Sequence, residues 1–348
     1  MPDENLQSQL DEQRSLVDVD HFDITVRELV RMAAEDEIRR APVYQRKFRW
    51  NEHTESRLVE SVLLGLPIPS FFMATNADGT WEVVDGLQRL STLLHFLAHP
   101  NDPSLQSIGK RNPLVLSGLE KLTSFNGLSY ESLPTPVRLA LGKRGLRVTA
   151  LSDKSNLEAR FEVFERLNTG GVALTAQEVR ACIFQGPFND FLRDLGDDPD
   201  FMKLVKLQRA HQHDGTREEL VLKFFAYLYD RANFRGGVGE FLTEYMEKAT
   251  RDFDMSTNRA LFRGVTEQLS ALTGGPFVRK GYPNTPLNQL ESAMVAVGEI
   301  LLEKGSISPP TGAWRDDPDW LQSSTKGTNT RSMLRRRIDR AKQLLLSD

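Results

Sequence analysis

A short apolar run at residues 81–84 breaks at Asp85-Gly86 and resumes at helical spacing in Leu87, Leu90, Leu93, Leu94 and Leu97. The side-chain period changes there from two to about 3.6 residues, so the segment reads as a strand that turns sharply into a helix. Ahead of it, residues 68–74 form another strand-like run, and Asn76-Ala77-Asp78-Gly79 supplies the turn that makes the two a hairpin. This order confines the first half of the chain to an α+β arrangement. The helix start also matters chemically. Its first N–H groups lack intrahelical partners and carry partial positive charge, so residues 86–89 are suited to cradling an anion.

Other local signals extend the reading. Thr25 and Glu28 stand at capping-box spacing and predict a helix from Val26 to about Arg39-Arg40. Asn51 is placed to cap a second helix, with Leu58, Val59, Val62, Leu63 and Leu66 on one side and Gly65 and Pro67 closing it. Residues 113–116 and 146–151 are strand-like. We therefore expect a disordered, acid-rich lead-in over residues 1–20 and a small mixed-sheet domain surrounded by helices over residues 21–185. Beyond it, helical spacing in residues 220–229, 241–246, 261–272 and 287–302 predicts an all-α domain over 186–326, in which Gly274-Gly275-Pro276 is a helix break. Residues 327–348 predict a basic amphipathic helix with Leu334, Ile338, Ala341 and Leu345 on one stripe. Its charged face is either solvated or a nucleic-acid contact through Arg335, Arg336, Arg337 and Arg340.

A length of 348 residues is enough for two cores. With 44 basic and 48 acidic residues the formal charge is -4, which excludes a protein-wide basic field, so any nucleic-acid contact must be local. The single cysteine, Cys182, excludes an internal disulfide framework and a cysteine-based zinc site and is expected to be a buried small hydrophobe. The acid-rich start and the lack of an apolar run of about 20 residues predict a cytoplasmic protein without a membrane partner. There is no Gly-x-x-x-x-Gly-Lys-Ser/Thr loop, and no lysine has an acid two positions before it, so P-loop and PD-(D/E)xK chemistries have no candidate. His95 and His99 share a helical spacing but have no obvious further ligand.

Three polar clusters remain. In the first, Tyr44-Gln45-Arg46-Lys47-Phe48-Arg49-Trp50, cations alternate with aromatics, a pattern that suits phosphate and base or equally an edge strand with solvated charges. In the second, Asp85 either caps the helix or meets a metal ion, and Gln88 and Arg89 occupy the first turn. A cation there opposes the helix dipole, so Arg89 needs a partner, either a ligand anion or Asp85 itself. The third, Arg166-Leu167-Asn168-Thr169-Gly170-Gly171, ends a helical pattern in two glycines that let backbone N–H groups approach a ligand closely, or simply join two helices. A capping box at Thr175 and Glu178 starts the next helix.

Tyr44-Gln45-Arg46 with Trp50, then Asp85-Gly86-Leu87-Gln88-Arg89-Leu90-Ser91-Thr92-Leu93, then Phe164 through Asn168-Thr169-Gly170-Gly171 with Thr175 and Glu178, resemble in this order the N-terminal domain of GmrSD-type modification-dependent restriction systems. The resemblance implies a ParB/sulfiredoxin-like domain that binds and hydrolyses a nucleoside triphosphate with Mg²⁺ (or Mn²⁺) in prokaryotic anti-phage defence. It also implies a separate nuclease or effector partner, since this chain shows no HNH nuclease pattern. In the family signature Asp-Gly-Gln-Gln-Arg the first Gln is common; here Leu87 replaces it, a departure that bears on turnover. The expected catalytic group is Asp85, Gln88 and Arg89, with Asp85 also the metal ligand. Nucleotide contacts fall to Tyr44, Gln45, Arg46, Arg49, Trp50, Gly86, Arg166, Asn168, Thr169, Gly170 and Gly171. Two other readings use the same residues: a DNA-binding or DNA-nicking enzyme, and a non-catalytic nucleotide sensor that docks an effector.

Overall fold

The structure, a computed structural model, describes residues 2–15, 18–39, 50–76, 78–152, 155, 157–167, 175–212, 214–307, 310, 314–325 and 327–346. The chain divides into two compact units, Met1–Leu174 and Thr175–Asp348.

The first unit is α+β. Its helices are α1 (Pro2–Ser15), α2 (Val26–Ala34), α3 (Glu52–Leu64), α4 (Leu87–Leu97), α5 (Pro103–Ser107), α6 (Thr135–Gly142) and α7 (Leu157–Leu167); its strands are β1 (Val19–Thr25), β2 (Ile38–Arg39), β3 (Phe71–Thr75), β4 (Trp81–Asp85) and β5 (Gly145–Leu151). The strands form one mixed sheet in the order β1-β5-β3-β4-β2, with β5 parallel to β3 and β2 parallel to β4. The register sets Phe71 opposite Val148 and Met73 opposite Ala150, and these four side chains are buried. Val26, Leu29, Val59, Leu90 and Leu93 join the same core, from helices in which α2 and α3 both pack on α4.

The caps behave as their residues dictate. Thr25 accepts a hydrogen bond from the Glu28 amide and Asn51 from the Thr54 amide, while Gly65 ends α3 in the left-handed region. Three expectations need correction. Helix α2 stops at Ala34 rather than near residue 40, because Asp36 takes a positive φ of 57° and Ile38 and Arg39 then pair with Trp81 and Glu82 as β2. Residues 113–116 are extended but not part of the sheet; Leu114 donates to the His95 carbonyl at the end of α4, and Leu116 bonds with Gly127 and Leu128. The lead-in is not unstructured throughout: it contains α1, with Gln7 donating to Asp11 one turn on, and the start of β1, whose seven residues pair in unbroken register with β5.

The second unit is all helical among the described residues: α8 (Ala176–Ile183), α9 (Pro187–Gly196), α10 (Pro199–Leu204), α11 (Thr216–Tyr229), α12 (Val238–Arg251), α13 (Met255–Thr273), α14 (Leu287–Lys304), α15 (Pro318–Thr325) and α16 (Arg331–Leu346). Residues 289–298 of α14 are buried on all sides, so it lies at the centre, packed on α11, α13, α15 and α16. Gly298 permits the approach of α11: a Cβ there would stand 3.0 Å from the Phe224 ring. Cys182 is buried, as its lone occurrence predicts, and both halves of the Thr175–Glu178 capping box are formed.

Candidate functional site

In the first unit β4 runs into Asp85, the chain reverses at Gly86 with φ at 102°, and α4 begins at Leu87. Only a residue without Cβ fits this turn. A Cβ on Gly86 would lie 2.7 Å from Cδ1 of the buried Phe71 ring. The β3–β4 register shifts between Phe72 and Met73, directly beside Asp85, so a bulge sets the angle at which β4 meets the turn. No side chain caps α4.

Arg89 folds back beneath this turn. Its Nη2 donates to Asp85 Oδ2 at 2.7 Å, and its Nη1 donates to the carbonyls of Pro69 and Ser70, the latter at 3.2 Å. The guanidinium also lies 5.0 Å from the centre of the Phe71 ring. The cation that opposes the helix dipole therefore finds its anion within the protein, and two carbonyls satisfy further donors. Burial pulls the Arg89 pKa down from its ordinary value, against the opposing attraction of Asp85. Asp85 itself keeps half of its side chain in solvent.

Of the first polar cluster only Trp50 is described, and it meets the second. The Trp50 N–H donates to Gln88 Oε1 at 3.3 Å, and the Trp50 ring packs on the core. Tyr44, Gln45, Arg46 and Arg49 lie outside the described residues, as do Asn168, Thr169, Gly170 and Gly171. Arg166, at the end of α7, pairs with Glu162 one turn earlier.

Behind the turn, α3 and α4 are locked by buried polar groups that the sequence reading missed. Glu55 accepts from Lys110 at 3.1 Å and meets His95 Nδ1 at 2.5 Å, while His95 Nε2 donates to the Asn112 carbonyl. Ser56 accepts from the Ser117 amide, and Glu60 from the amides of Lys121 and Leu122, both at 2.8 Å. Glu55 precedes Val59 and Val62 at i, i+4 and i+7, so its place on the apolar stripe was the available signal. His99 pairs instead with Glu131, so the two histidines serve different partners. No group of three or more His, Cys, Asp or Glu side chains among the described residues is placed to hold a metal ion.

In the second unit, α16 buries Leu334, Ile338, Ala341 and Leu345 as expected. One of the four arginines assigned to a nucleic-acid face is misplaced by that reading. Arg337 is buried beside Glu291 and donates to the Thr328 carbonyl, because it follows the apolar stripe inward. Arg340 forms a two-pronged bond to Asp317, Arg336 reaches Asp319 at 3.2 Å, and Arg335 remains largely exposed. Arg331, Arg335, Arg336 and Arg340 line an open groove of about 870 Å³ together with Asp319 and Asp339.

With this geometry in hand, residues 26–185 match the family model described as the GmrSD restriction endonuclease N-terminal domain. This segment is similar to a GmrSD N-terminal domain. The matched segment contains Trp50, the Asp85–Arg89 turn and α8, which packs on α11 and α12. Among solved structures, a Pnob8-like ParB-N domain is similar at 13% identity over 95% of this chain and 94% of that one, with a TM-score of 0.24. A search of curated proteins finds no match. No described helix is long and apolar enough to cross a membrane.

Proposed function

We propose that this protein is the nucleotide-binding component of a prokaryotic modification-dependent restriction system and that its GmrSD N-terminal domain hydrolyses a nucleoside triphosphate at the Asp85–Arg89 turn. The observation that supports the reading is the contact of Trp50 with the Asp85–Arg89 motif at a helix start without a side-chain cap: Trp50 bonds to Gln88, beside the half-exposed Asp85. The first amides of α4, with Arg46, would receive phosphate. Tyr44, Gln45, Arg49, Arg166, Asn168, Thr169, Gly170 and Gly171 would complete the nucleotide contacts. Gln88 would orient the attacking water or the sugar.

Arg89 acts here as a positioning residue. Its bonds to Asp85, Pro69 and Ser70 fix the end of β4 against the start of β3, and so hold the helix start in place. A phosphate reaching the guanidinium must compete with Asp85. The donor set also bears on the metal. A lone carboxylate, Asp85, does not fit an all-protein cage but fits Mg²⁺, which characteristically uses one or two carboxylates together with substrate phosphates. Bound there, the ion would neutralise charge on the phosphates.

The test is isothermal titration of the full chain with each of the four nucleoside triphosphates and Mg²⁺, followed by phosphate release with and without DNA. Asp85→Asn should weaken binding at least about tenfold. Wild-type affinity in that variant, or no binding of any triphosphate, refutes the assignment. Binding without phosphate release would leave a nucleotide sensor, the outcome toward which Leu87 points. The arginine-lined groove of α15 and α16 favours a second role in DNA contact, readable as salt-dependent binding that weakens in Arg335→Gln.

A further inference from the structure

The second unit contains a cavity of about 880 Å³, within the ~300–1,000 Å³ common for small-molecule sites. Its walls are the last turn of α13, the Gly274-Gly275-Pro276 break, residues 278–280 and residues 314–316. Gly274 is the left-handed cap of α13, so the break is a helix end, as its sequence predicts, and that end borders the cavity.

The cavity's cations differ from Arg180, Lys223, Arg337 and Arg340 of the same unit, which have carboxylate partners. Arg279, Lys280 and Arg315, which line the cavity, have none among the described residues. Arg279 stacks on Tyr282 at 4.3 Å, and its Nε is buried without a hydrogen-bond partner. Arg315 is held to the wall by donating to the Val278 carbonyl at 3.0 Å. One acid, Asp316, faces these three cations. The carboxyl end of α13 contributes only about half a negative charge, and the Thr273 hydroxyl donates within that end, to the Gly275 carbonyl among others. Net positive charge therefore remains. Apolar surface comes from Leu272, Val278, Ile307 and Trp314, the last made rigid by stacking on Trp320, beside the polar side chains of Gln268 and Thr273.

We propose that this cavity binds a phosphomonoester of mononucleotide size, with its phosphate on Arg279, Lys280 and Arg315 and its organic part against Trp314 and Leu272. Guanidinium forks and an ammonium group suit a doubly charged phosphate better than a single carboxylate. The site is separate from the Asp85–Arg89 turn and does not depend on the role given to that turn.

Isothermal titration of the full chain with adenosine 5′-monophosphate and with phenyl phosphate tests it, with uncharged adenosine as the control. At least one phosphate probe should bind at one molecule per chain, adenosine should not, and Lys280→Glu should weaken binding at least about tenfold. Lys280 is exposed, so the charge reversal leaves the fold intact. Asp85→Asn should leave this affinity within about twofold. The proposal is overturned if neither probe binds by about 1 mM, if Lys280→Glu binds like wild type, or if binding is lost in Asp85→Asn and kept in Lys280→Glu.

Discussion

Replacing Gly86 by alanine tests whether the helix start is built on a turn only glycine can make. The backbone sits at φ 102°, and an L-residue in a left-handed conformation costs roughly 1–2 kcal/mol. The added methyl would lie 2.7 Å from the Phe71 ring and 3.3 Å from Arg89 Nη2. Phe71 is fully buried and Arg89 is bound to Asp85, so neither yields freely, and overpacking of this kind adds roughly 1–3 kcal/mol. The sum is a loss of about 2–5 kcal/mol. Because the chain has two compact units, a single melting curve would blur the effect, and amide hydrogen exchange read peptide by peptide is the better assay. Peptides of β3, β4 and α4 should exchange at least about 30-fold faster in Gly86→Ala, the equivalent of about 2 kcal/mol, with α14 peptides as internal reference. An acceleration below about threefold would refute the argument that the turn is sterically closed.

Glu55→Gln should cost the first unit about 3 kcal/mol, since it strips a fully buried carboxylate from His95 and Lys110, and urea titration followed by exchange in α3 and α4 checks it. Glu60 is held below the usual carboxylate range, first by the Leu122 amide and then by that of Lys121, against the effect of burial. Its folded pKa is depressed, so its contribution is complete above an unfolded value of about 4.3 and is lost as pH falls through the folded one. The stability gap between wild type and Glu60→Gln should therefore narrow in denaturant titrations run below about pH 4.3 and stay constant above it. Arg337→Met should change stability by no more than about 1 kcal/mol, whereas Glu291→Gln, which removes the shared partner of Lys223 and Arg337, should cost about 3–5 kcal/mol in the same titration.

Where local chemistry decides the structure, residue types alone were sufficient. Asn51 and Gly65 bound α3, Asp78-Gly79 turns the hairpin, and Thr175 with Glu178 opens α8, because each of these devices is completed within four residues. Elements that depend on distant partners were not legible. Strand β1 has a largely exposed, polar face and no clean alternation, so only its pairing with β5, more than a hundred residues away, makes it a strand. Residues 113–116 have strand composition, yet their hydrogen bonds go to α4 and a loop. Arg89 lies between these cases. A cation in the first turn of a helix needs an anion, which the sequence states, but a ligand and an acid four residues earlier meet that need equally well. What separates them is the position of the Pro69 and Ser70 carbonyls, placed under the guanidinium by the register of β3 with β4 and by the bulge beside Asp85. With the charge already met inside the fold, the phosphate affinity proposed for this turn would have to come from the first amides of α4 and from cations outside it, with Arg89 keeping those amides in place.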